Sequence, residues 1–111
     1  MSNSLTTARH LAQQLTAERV DVNEVEKILA YARRVRDVGK VRQMIRRLAV
    51  QDVIVYSKQT KRYAQAIRRV VEPALPDDPD AALHLLGWTT RLMHYERARA
   101  GSQRGRRRQR R

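Results

Sequence analysis

The side chains able to do chemistry in this 111-residue chain are overwhelmingly cationic. Lys and Arg number 24 against 11 Asp and Glu, a formal charge of +13 at pH 7. Such an excess repels itself unless a polyanion offsets it, most often nucleic acid. Arg predominates over Lys, and its planar guanidinium suits phosphate oxygens two at a time. The charge is unevenly placed: residues 40–72 hold nine Lys and Arg against Asp52 and Glu72, residues 101–111 hold six Arg and no acid, and residues 21–38 sum to zero. Within the first block Arg42, Arg46 and Arg47 lie at i, i+4 and i+5, and Lys58, Lys61, Arg62, Arg68 and Arg69 recur at spacings of three, four and seven. On two helices these spacings put a cationic stripe opposite an apolar face. An ordinary solvated face mixes signs, and this block scarcely does. The two stripes are expected to line up as one continuous track for phosphates, tolerant of sequence and strongly dependent on salt.

Other chemistry finds little support. There is no Cys, hence neither a disulfide framework nor a thiolate zinc site. His10, His84 and His94 never fall four residues apart, so no helical pair of imidazoles can share a metal. Asp77, Asp78 and Asp80 are hard oxygen ligands that suit a cation, but helix capping and dipole complementation account for the same three residues. A glycine-rich phosphate loop and a serine nucleophile elbow are both missing, and a basic ribonuclease would need histidines that converge only in the fold. The expectation is a non-catalytic protein with no cofactor and no metal.

The elements that must position the cations read as helices. Leu, Ile and Val number 25, enough for a small core if every helix is amphipathic. A first helix runs from about Leu5 to Ala17 behind Asn3 or Ser4. A second follows Asp21, with Glu24 at the third helical position as in a capping box, an apolar face of Val25, Ile28, Leu29, Ala32 and Val35, and Gly39 as a left-handed stop. A third starts at Lys40 and packs Val41, Met44, Ile45 and Leu48. The β-branched stretch over 50–56 lacks a partner strand and reads as helical or irregular. Ser57 caps a fourth helix with Thr60, Ala64, Ile67, Val70 and Val71 inside, ended by Pro73 and Pro76. Asp78 caps a fifth at Pro79, which buries Leu85, Leu86, Thr89, Leu92 and Met93 and closes at Gly101. The fold class is all-α, a compact bundle of about five helices over 1–100, followed by a basic tail over 101–111 that is disordered when alone. No apolar run exceeds five residues, too short for a bilayer, and the start Met-Ser-Asn-Ser lacks the features of a secretory signal. A cytoplasmic, non-membrane protein is expected.

Aromatic residues and the tail complete the candidates. Tyr63 follows Lys61 and Arg62 directly, which suits base stacking, although a half-buried Tyr with its hydroxyl at the rim is the favoured reading. Trp88 lies one column off the Leu85/Leu92 seam and suits the core and a contact with a neighbouring subunit equally. In the tail, Arg104, Arg106, Arg107 and Arg108 form a general nucleic-acid grip, or merely a solubilising end.

Taken together, the chain resembles the small subunit of multisubunit CRISPR effector complexes, types III and IV. The likeness rests on its overall form over about residues 21–100, on the helix opened by Ser57-Lys58-Gln59-Thr60-Lys61-Arg62-Tyr63, and on Leu85-Leu86-Gly87-Trp88-Thr89-Thr90-Arg91-Leu92, where a Trp is closely followed by a basic residue. The Arg-rich tail departs from the family. The resemblance implies several self-stacking copies beside other subunits of a ribonucleoprotein that holds a guide RNA. It also implies a basic groove offered to target or displaced single strand, with no catalytic activity. The Arg and Lys candidates are chosen by stripe geometry and not by a family motif. Two other readings compete: a helix-turn-helix regulator or phage packaging factor whose helix after Gly39 enters a major groove through Arg42, Arg46 and Arg47, and a helical adaptor whose charge meets an acidic protein.

Overall fold

A computed structural model describes the backbone of residues 3–50 and 58–109 and the side-chain environments of residues 5–49 and 62–99. Five α-helices follow one another: α1 (Asn3–Ala17), α2 (Val22–Val35), α3 (Val38–Val50), α4 (Lys58–Val70) and α5 (Pro79–Gln109), with a 3-10 turn over Glu72–Ala74 before the last. No strand occurs among the described residues. Val50 closes α3, and the rest of the stretch expected to be helical or irregular, with the cap at Ser57, lies outside the described residues.

Local chemistry explains most of the boundaries. Asp21 caps α2 by accepting from the Asn23 N–H at 3.0 Å. Glu24 stands at the third helical position but does not close the capping box; its carboxylate takes Lys27 Nζ at 3.2 Å instead. The left-handed stop of α2 falls on Arg36 (φ 49°, ψ 44°), not on Gly39. This conformation is costly for a side-chain-bearing residue, and it is held by the Arg36 N–H donating to the Ala32 carbonyl at 2.9 Å and by an ion pair to Asp80 at 2.5 Å. Gly39 lies inside α3, where a Cβ would come within 3.2 Å of Asp37 Oδ1, the oxygen that accepts the Lys40 N–H and caps the helix. The glycine makes room for a cap. Asp78 caps α5 as expected, accepting the Ala81 N–H at 2.9 Å ahead of Pro79.

The core gathers one face of each helix. Leu15, Val25, Val41, Ile45, Ile67, Val71 and Leu86 are among its most enclosed side chains. A smaller cluster of Ala8, Leu11 and Leu85 joins α1 to α5, the tightest helix pair, while α3 packs on α4 and α2 touches both α3 and α5. Thr89, fully buried, satisfies its hydroxyl on the Leu85 carbonyl at 2.7 Å. Gly101 does not stop α5, whose helical backbone runs on to Gln109. A single glycine costs a helix only about 1 kcal/mol, and no proline follows to enforce an end. The radius of gyration, 15.1 Å, exceeds the roughly 13 Å usual for this length, in keeping with a helix that outruns its core.

Candidate nucleic-acid interface

Among the described residues of the expected track, most guanidiniums already have partners within the protein. Arg42 donates to Asp77 at 3.0 Å and to the Leu75 carbonyl at 2.8 Å. Arg46 donates to Glu72 at 2.6 Å, and Arg68 reaches the other oxygen of the same carboxylate at 3.8 Å. Arg69 pairs with the Glu18 carboxylate, and Arg62 donates to the Glu18 carbonyl at 3.2 Å while its Cζ lies 5.0 Å from the centre of the Tyr63 ring. These residues tie α3 and α4 to the α4–α5 connection and to the end of α1. Three carboxylates, Asp77, Glu72 and Glu18, thus offset part of the charge of the stripe. The side chains of Lys58, Lys61, Arg104, Arg106, Arg107 and Arg108 lie outside the described residues, although the backbone of each is helical.

Arg47 has a different setting. It lines a groove of about 680 Å³ between α2 and α3, with Tyr31, Arg34 and Val35 from α2 and Lys40, Gln43, Met44 and Leu48 from α3. Helical spacing builds this site: Tyr31, Arg34 and Val35 stand at i, i+3 and i+4, and Lys40, Gln43 and Arg47 at i, i+3 and i+7. Lys40 and Arg47 are separated by roughly 10 Å of helix rise. Val35, Met44 and Tyr31 are half-buried against the core and give the groove an apolar floor. The Arg34 guanidinium lies over the Tyr31 ring, its Cζ 5.4 Å from the centroid. No carboxylate is among the lining residues; the nearest acid in sequence, Asp37, is engaged as the α3 cap. Three cations, a stacked aromatic and an amide therefore converge on a concave surface. Such a set can hold phosphates and stack a base.

Sequence reasoning missed Tyr31, Arg34, Lys40 and Gln43. Residues 21–38 are neutral in sum because acids at the start of α2 cancel cations at its end, Glu24 in the first turn and Arg33 and Arg34 in the last. A tally by helix face instead of by block would have found them.

Trp88 is half-buried against the α1–α5 cluster, with Arg91 Cζ 5.3 Å from its ring centre and the His84 ring edge-on at 6.3 Å. Tyr63 is half-buried at the rim of the core. His94 pairs with Glu26, and His10 and His84 are exposed. Asp77 and Asp80 serve ion pairs and Asp78 a cap, and no cluster able to hold a metal occurs among the described residues. No helix among them is long and apolar enough to cross a membrane. Comparison of the chain with known protein families, characterised proteins and solved structures returns no match.

Proposed function

We propose that this protein is a non-catalytic, sequence-tolerant nucleic-acid-binding helical module, with the α2–α3 groove as its main contact. The observation that carries the reading is the acid-free lining of that groove by Arg34, Lys40 and Arg47 around Tyr31, in a chain whose other basic stripe is largely engaged internally. Phosphates would take the three cations, and Gln43 offers hydrogen bonds without a fixed base code. The net charge of +13 favours rapid encounter with a polyanion. The helix-turn-helix reading is less well served, since two of its three proposed base readers, Arg42 and Arg46, are held by Asp77 and Glu72.

The finer reading is a cytoplasmic small subunit of a type III or type IV CRISPR ribonucleoprotein, present in several copies beside guide-RNA subunits. It rests on the resemblance in overall form. Native purification followed by sequencing of the bound nucleic acid and mass analysis of companions tests it: a repeat-derived guide RNA is the expected result, and its absence would overturn it.

The groove itself is tested by Lys40→Gln combined with Arg47→Gln. Losing two phosphate contacts should lower affinity for an oligonucleotide at least tenfold and flatten the slope of log K against log salt by about two. Arg46→Gln, which disturbs only a pair already made within the protein, should leave the slope unchanged. Fluorescence anisotropy at several salt concentrations reads both, and equal effects of the two changes would refute the assignment.

A further inference from the structure

One face of α5 is not used by the groove. His84, Trp88, Arg91, Tyr95 and Arg99 are spaced four, three, four and four residues apart, which gathers them within roughly 80° of arc on the helix. Tyr95 is 61% exposed and one of only two large hydrophobic residues exposed among those described. Trp88 is held in place against Ala8, Leu11 and Leu85, and Arg91 lies over its ring. The arc contains no acid from His84 to Arg99; Glu96, the one carboxylate in that stretch, is half-buried about 100° round the helix. The neighbouring α1 has no acid either, and it exposes Arg9 and His10. A fixed indole under a guanidinium, followed about two turns on by an exposed phenol and then another Arg, alternates stacking surfaces with cations.

We propose that this face of α5 is a second nucleic-acid contact, taking unpaired bases of a single strand on Trp88, Arg91 and Tyr95 while Arg99 meets the backbone. The proposal rests on the nucleic-acid reading given above, but it concerns a different surface. The groove lies between α2 and α3, whereas this face belongs to α5, with Trp88 packed against α1. Electrostatics favours this occupant over an apolar partner, because an acid-free face bearing Arg91 and Arg99 loses less on meeting phosphate than on being dried by a neutral surface. Stacking on aromatic and guanidinium planes contributes about 1–3 kcal/mol per base and tolerates any base.

Trp88 is the only tryptophan in the chain, so its emission reports on this face alone. The full-length protein is titrated with a single-stranded oligonucleotide of about twelve nucleotides, within the range covered by single-strand sites, and binding is followed separately by anisotropy of a label on the oligonucleotide. Saturation should quench Trp88, and quenching should persist in the Lys40→Gln, Arg47→Gln variant at higher oligonucleotide concentration. Arg91→Gln with Tyr95→Ala should leave the melting temperature unchanged, since both side chains are exposed, yet reduce the quench and weaken binding about tenfold. Saturation by anisotropy with Trp88 emission unmoved would overturn the second contact and leave the groove standing. Equal quenching by a duplex of the same length would overturn the role of unpaired bases. If the labelled oligonucleotide fails to bind at any concentration, the nucleic-acid reading and the second contact fall together.

Discussion

Arg36 carries the least favourable backbone of α2, a left-handed residue with a β-carbon where glycine is the usual choice. Its exposed ion pair with Asp80 offsets at most about 1 kcal/mol, whereas relief of the left-handed conformation is worth about 1–2 kcal/mol. Arg36→Gly is therefore expected to raise stability by about 1 kcal/mol in urea denaturation, and a decrease would show that the link to α5 outweighs the backbone. The same residue shows what one-dimensional reading can and cannot see. Gly39 has the right composition for a stop, but the cap at Asp37 begins α3 before it and claims the glycine for clearance. Pairing is still harder to foresee. Arg46 meets Glu72 and Arg69 meets Glu18 across 26 and 51 residues of sequence, distances over which a charge stripe on one helix gives no hint of its partner.

At the scale of elements, apolar periodicity and punctuation were strong enough to read. The inner faces of α2, α3 and α5 fall where 3.6-residue spacing puts them, and the Asp78-Pro79 start of α5 is a cap followed by a residue that needs no donor. Asp78→Ala should accordingly cost about 1 kcal/mol. Leu86, fully buried two turns into α5, is a far more sensitive position. Leu86→Ala should cost about 2–5 kcal/mol, depending on how far the site collapses, and equilibrium unfolding that shows less than 1 kcal/mol would contradict its place in the core. Helix pairs are where periodicity ran out. The α2–α3 groove exists because two helices joined by only two residues expose adjacent edges, and it sets Lys40 and Arg47 of the basic block beside Arg34, from a segment whose charges sum to zero.

Across the whole molecule, charge and packing are separable. The described core reaches along α5 only to Met93, although the helix continues to Gln109. A chain ending at Ala100 should keep its melting temperature while losing six formal charges. Its affinity for every oligonucleotide should fall alike, with a shallower salt dependence. Calorimetry and anisotropy on the same preparation check both halves of that expectation. A drop in melting temperature of several degrees would mean that the last eleven residues support the bundle.

The shared carboxylate of Glu72 has one more consequence. It is held by Arg46 from α3 and Arg68 from α4, two helices that also share the core through Ile45 and Ile67. Supplied as two polypeptides, 1–50 and 58–111, the molecule should reassemble by fragment complementation, with Glu72→Lys abolishing the reunion by turning a clasp into repulsion.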